Sequence, residues 1–379
     1  MASRAPPKLL FSCFVFLACF HLPITCYCKG IGMFVFGSSL VDNGNNNYLK
    51  DTMAKADFVP YGMDFPLGPS GRFTNGKNVI DLLGDHLQLP AFIPVFNDPS
   101  TNVSRMLLGV NYASGGSGIL DETGTVACTY ERKTFRHNHG EDIAGHGNVT
   151  SLNQQIKNFE EVTLPILKEE QLRRGDEILL PNYLFVVGSG GNDYSLNYFL
   201  GKSNGTSLEA FTQNLTTTLS RQLKKLYSLG ARKFVIMGLY PLGCSPSVRA
   251  RQPLRNGCIQ SLNMVAHLFN AQLKSLVDVI KPQMPGSTLV YVNSYKIVSD
   301  IIENPSSRGF NDTSSACCEV GNGILCKRGG SACANRSSYV YFDGLHPTEA
   351  VNVVLAAKAY ASNRNAEVYP MNVEQLTKL

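Results

Sequence analysis

Short, unbroken apolar runs alternate along the chain with longer stretches in which apolar residues recur at helical spacing. Met33-Phe34-Val35-Phe36, Leu107–Tyr112, Tyr183-Leu184-Phe185-Val186-Val187, Lys233–Met237 and Thr288–Val292 show no polar alternation. That is the pattern of strands buried on both faces of a parallel sheet. Between them, Asn78–Leu87 (Val79, Leu82, Leu83, Leu87) and Ser151–Leu172 (Leu152, Ile156, Phe159, Leu164, Leu167) read as amphipathic helices, as do Leu208–Leu229 and Ile259–Ile280. A last helix runs to about Ala361, with Pro347 suited to its first turn. Strand and helix repeated five times predict an α/β fold, a flavodoxin-like three-layer α/β/α sandwich around a mostly parallel five-stranded sheet. Right-handed crossovers then bring the strand ends to one rim, where open α/β sheets bind ligands.

At that rim three of the strands run into small, polar turns. The first run breaks at Gly37 into two adjacent serines, Ser38 and Ser39, and a loop crowded with amides (Asn43, Asn45, Asn46, Asn47). Two others end in Gly115-Gly116 and Gly191-Asn192, where missing side chains let backbone N–H groups approach a ligand. Any one of these clusters alone is an ordinary turn. Three on one rim, together with Asp343-x-x-His346 near the end of the chain, make a coherent set. A serine hydroxyl needs a base to take its proton and a group that holds the base in the right tautomer. Asp343 and His346 are three residues apart, so one turn can set the carboxylate beside Nδ1 and aim Nε2 at the serine. The Gly116 N–H and the Asn192 amide are candidates to stabilise an oxyanion.

Composition adds a compartment. Residues 1–28 carry Arg4 and Lys8 ahead of the apolar run Leu9–Phe20. Twelve residues are too few to span a bilayer but suit a signal peptide, cleaved after Cys28, so a single domain from Lys29 to Leu379 is expected. Of 34 Lys and Arg residues those two leave with the leader, and the remainder exceeds the 29 acidic residues by only three. So mild a charge balance argues against a nucleic-acid partner, and no stable membrane span is expected.

Four of the 11 cysteines also leave with the leader. Cys244, Cys258, Cys317, Cys318, Cys326 and Cys333 then read as disulfide staples of an oxidising compartment, with Cys128 the odd thiol. Zinc is the weaker alternative, since no CxxC pair or neighbouring histidine accompanies them. His137, His139 and His146 share the polar stretch Asp121–Asn148 without acidic or thiolate ligands at good spacing, so no metal and no cofactor is expected. Sequons at Asn102, Asn148, Asn204, Asn214, Asn311 and Asn335 agree with secretion and glycosylation.

The stretch from Phe36 to Asn47 resembles the first block of the plant GDSL esterase/lipase family, within the SGNH hydrolases. Asn111–Gly118 resembles the second block, Gly190-Gly191-Asn192-Asp193 the third and Asp343–Thr348 the fifth, in order over nearly the whole chain. The resemblance implies that Ser39 is the nucleophile, His346 the base, Asp343 its orienting partner, and Gly116 and Asn192 the rest of the oxyanion hole. It implies a metal-free, secreted serine esterase or lipase of the cell wall or apoplast, acting through an acyl-enzyme on acyl lipids or cell-wall esters. Two alternatives stand beside it: a non-catalytic ligand-binding glycoprotein on the same fold, and an acyltransferase using the same triad. The chain departs from the family in carrying Ser38 where the block has aspartate, and in a longer segment between Gly124 and Ser151. The Gly-x-Ser-x-Gly elbow of α/β-hydrolases is absent, because Val41 stands at its last glycine.

Overall fold

The structure is a computed structural model that describes residues 32–124, 149–175, 180–200, 205–251, 257–321 and 323–379. The expected leader, Cys128, the three loop histidines, Asn148 and Asn204 lie outside the described residues.

Five strands form the central sheet: β1 (Met33–Gly37), β2 (Leu184–Gly188), β3 (Lys233–Met237), β4 (Thr288–Val292) and β7 (Val368–Tyr369). They lie in the order β1-β2-β3-β4-β7, the first four parallel and β7 antiparallel. Side chains alternate between two cores, which is why these runs are apolar throughout. Phe34, Phe36, Phe185, Val187, Phe234 and Ile236 face one core. It is closed by α2 (Leu152–Asn158), α3 (Leu164–Arg174), α5 (Leu208–Ser228) and α6 (Gln260–Ile280). Met33, Val35, Leu184, Val186, Val235 and Met237 face the other. There α1 (Val79–His86), α8 (Glu349–Ala361) and α9 (Val373–Thr377) cover the sheet. The expected sandwich is present.

The register sets Gly37 opposite Gly188, and Met237 opposite Val292, so the strands end on one rim. At that rim β2 leads directly into α4 (Gly191–Ser195), and β4 into α7 (Ser294–Glu303). The cysteine-rich segment is organised around a small parallel pair, β5 (Asp312–Ala316) and β6 (Tyr339–Tyr341). Disulfides join Cys244–Cys258, Cys317–Cys333 and Cys318–Cys326. These six sulfurs are therefore staples, and the zinc alternative falls.

Several elements differ from expectation. Leu107–Tyr112 is not a strand of the sheet, and the fifth strand is β7. Gly109 turns the chain at φ +100°, where a Cβ would sit 1.8 Å from the Met33 carbonyl oxygen. The chain on either side of that turn lies beside β1 as a bent, irregular segment, with Met33 N–H donating to the Leu108 oxygen, Val35 N–H to that of Val110 and Tyr112 N–H to that of Val35. The long helix of residues 152–174 is interrupted by a π-helical turn at Phe159–Thr163. Thr348 is the N-cap of α8, so Pro347 lies just ahead of the helix rather than in its first turn.

Candidate active site

Gly37 ends β1 at φ +144°, so close to β2 that a Cβ would lie 2.1 Å from the Gly188 oxygen. Only glycine fits, and the turn it permits lifts Ser38 and Ser39 onto the rim. Gln155 of α2 locks this turn. Its amide accepts from Gly37 N–H (2.7 Å) and donates to the Gly37 oxygen (2.9 Å).

The amide-rich loop braces the turn from the other side. Asn45 donates to the Asn111 and Ala113 carbonyls at 2.9 Å, and Asn46 to those of Ala54 and Gly115 at 2.8 Å. Buried Asp42 accepts from the N–H groups of Gly44 (2.7 Å), Asn45 (2.8 Å) and Gly115 (3.0 Å), tying the first rim cluster to the second. Loss of water outweighs these bonds, and burial pushes Asp42 up to about 6. Arg72 makes a two-pronged pair with Asp81 of α1 and donates to the Asn43 carbonyl at 3.1 Å, so that helix anchors the same loop.

On this scaffold the structure brings Ser39, His346 and Asp343 together. The Ser39 Oγ lies 2.8 Å from His346 Nε2, and His346 Nδ1 lies 2.8 Å from Asp343 Oδ2. Of the two adjacent serines it is therefore Ser39 that meets the imidazole. Ser38 lines the same cleft, and its hydroxyl makes no hydrogen bond among the described residues. The other Asp343 oxygen accepts from the N–H groups of Leu345 (2.8 Å) and His346 (2.7 Å), which closes the turn linking acid and imidazole. Phe73 packs on the imidazole with ring centroids 5.0 Å apart.

Gly116 and Asn192 line the same cleft as Ser39 and His346. Neither the Ser39 nor the Gly116 N–H has an acceptor among the described residues. One Asn192 amide hydrogen donates to the Ser117 carbonyl (2.9 Å), which fixes the amide and leaves its second hydrogen available. Beside it Asp193 accepts from the Ile119 and Leu120 N–H groups and the Thr123 hydroxyl, and burial pushes it too up to about 6. These donors and the nucleophile candidate surround one space, an arrangement suited to acyl transfer.

That space is a cleft of about 830 Å³. Leu40, Leu196, Phe199, Leu239, Leu242 and Val248 give it a largely apolar lining. Among the described residues no group of His, Cys, Asp and Glu side chains is arranged to hold a metal ion. Of the sequons, Asn102, Asn214, Asn311 and Asn335 are exposed. No helix among the described residues is long and apolar enough to cross a membrane.

Sequence reasoning missed Tyr61, whose hydroxyl donates to Asp343 Oδ2 at 2.6 Å. The available signal was a tyrosine inside a glycine-rich polar passage that otherwise read as turns. It also missed Asp42 and Gln155, because their work is to bond backbone groups distant in sequence, which no local pattern reports.

The family model described as GDSL-like Lipase/Acylhydrolase matches residues 33–359. The chain is 41% identical over 357 residues to GDSL esterase/lipase At1g71250 of Arabidopsis thaliana, covering 92% of this chain and 89% of that protein. It is 36% identical over 357 residues to GDSL esterase/lipase At1g29670 of the same plant, covering 91% of each.

Proposed function

The chain belongs to the GDSL-like lipase/acylhydrolase family and is a carboxylic ester hydrolase, and on that premise we propose that it works through an acyl-enzyme on Ser39. The observation that carries this reading is the continuous line from Ser39 Oγ through the His346 ring to Asp343, 2.8 Å at each step.

In the first half-reaction His346 Nε2 takes the Ser39 proton as Oγ bonds to the ester carbonyl carbon. The carbonyl oxygen becomes an oxyanion and accepts from the Ser39 and Gly116 N–H groups and from the Asn192 amide. Collapse breaks the bond to the alcohol oxygen, which leaves with the proton held on Nε2. Water then repeats the sequence against the acyl-enzyme. Its proton goes to His346 and returns to Ser39 as the acid departs. Asp343 stays ionised throughout and keeps the other proton on Nδ1.

The substrates we propose are esters of apolar acyl chains. The support is the cleft, whose volume lies in the range of sites that enclose such ligands and whose walls are mainly aliphatic and aromatic. Secretion to the cell wall or apoplast, removal of residues 1–28 to leave one hydrolase domain, and glycosylation at the exposed sequons complete the proposal. Three disulfides support an oxidising compartment.

The reading is tested with Ser39→Ala and a fluorophosphonate ester probe. Wild type should be labelled at Ser39, and the variant should be secreted normally with p-nitrophenyl ester hydrolysis reduced by at least about 10⁴-fold. Unchanged turnover in the variant, or labelling at Ser38 instead, refutes the assignment.

A further inference from the structure

We propose that Tyr61 is a positioning residue that sets the acid limit of the hydrolase by sharing the Asp343 oxygen that His346 uses. This rests on the Ser39–His346–Asp343 reading and deepens it.

Asp343 Oδ2 accepts two hydrogen bonds, from His346 Nδ1 (2.8 Å) and from the Tyr61 hydroxyl (2.6 Å). Among the described residues no cation is bonded to this buried carboxylate, so its four neutral donors carry its stabilisation. Two of these are the fixed backbone N–H groups of its own turn. The tyrosine is the donor that competes directly with the imidazole for the same lone-pair density.

Its direction of donation is fixed. The Tyr61 oxygen accepts from Cys326 N–H at 3.0 Å, which commits the hydroxyl hydrogen to Asp343. Chains of donors in this order polarise one another. Burial first, and then the charge of Asp343, hold the phenol well above its ordinary range, so it remains a donor. The ring cannot turn away, because Phe58, Phe73 and Phe342 meet it edge-on at 5.3, 6.2 and 5.6 Å between centroids. The Cys318–Cys326 disulfide anchors the residue whose N–H completes the chain.

The physical consequence has a sign. Charge that Asp343 gives to Tyr61 is charge it cannot give to an imidazolium at His346. With the tyrosine donor in place, the carboxylate attracts an imidazolium at His346 less strongly, and activity persists to lower pH. Without it the carboxylate holds the imidazolium more tightly, and activity is lost at higher pH on acidification. Among the described residues the imidazole bonds to Asp343 and Ser39 and packs on the non-titrating Phe73. Lys55, Arg251 and Arg328 line the cleft and are unchanged by substitution at position 61.

Two replacements test this in the full-length secreted protein, by the pH profile of kcat/KM. In Tyr61→Phe the acid limb should move up by about one pH unit, a loss of about tenfold at pH values on that limb, with KM unchanged. Site-specific 3-fluorotyrosine at position 61 keeps the hydroxyl and the packing but donates more strongly, so its acid limb should move down. Profiles that coincide with wild type, or that move the same way in both variants, overturn the proposal. If Tyr61→Phe does not fold, the fluorotyrosine profile decides alone. Failure of the fluorophosphonate probe to label wild-type Ser39 would instead bring down the triad reading itself.

Discussion

Asp42 and His346 are governed by different forces. His346 is held by one carboxylate, whereas Asp42 is an acid placed out of reach of water and compensated by three backbone N–H groups and, more weakly, by the charge of Arg72. Its folded value of about 6 lies above the ordinary aspartate value of 3.8, so the folded chain binds this proton more tightly than the unfolded one. Stability from the group is therefore fully present below about 3.8 and lost as pH rises to about 6, a change of about 3 kcal/mol. Measured by urea unfolding, the stability of wild type relative to Asp42→Asn should fall by about that amount between pH 4 and pH 7. A difference that grows with pH would mean that the three N–H bonds outweigh desolvation.

At the scale of elements, the end of β1 is a tightly constrained point of the fold. Adding a methyl at Gly37 sets carbon 2.1 Å from a backbone oxygen of β2, and neither strand can yield without disturbing the sheet. Gly37→Ala should cost about 3 kcal/mol or more in denaturant unfolding and lower hydrolysis further by moving Ser39. A variant with wild-type stability would show that the two strands can separate locally. The parallel strands and their helices were legible in the sequence because burial on both faces and 3.6-residue spacing are local patterns. The triad candidates were legible because Asp343 and His346 fall within one turn and Ser39 follows a strand. The rest was decided by contacts distant in sequence. Leu107–Tyr112 has a strand's composition, but Gly109 must bend against Met33. β7 is two residues long and is defined by pairing with β4. The pairing of six cysteines depends on how the loop carrying β5 and β6 folds, which spacing alone does not determine.

At the scale of the molecule, the cleft is assembled from loops of many elements, and its lining bears on specificity. Each buried methylene contributes about 0.8 kcal/mol, so two should raise kcat/KM about tenfold while the chain still finds wall to cover. Across p-nitrophenyl esters from acetate to laurate, kcat/KM should therefore climb by at least about tenfold before it levels off. An optimum at acetate would favour acetylated polysaccharide over acyl lipid as the substrate class.

The hydroxyl and imidazole that meet in this cleft are separated by 307 positions of chain. On the mechanism proposed, the reactive serine emerges early from the ribosome and its proton acceptor almost last. Every shorter nascent or truncated product ending before Asp343 has a nucleophile that nothing deprotonates. Chemistry begins only once translation is nearly over, so the order of residues along the polypeptide acts as a built-in delay that keeps the hydrolase inactive while it is being made.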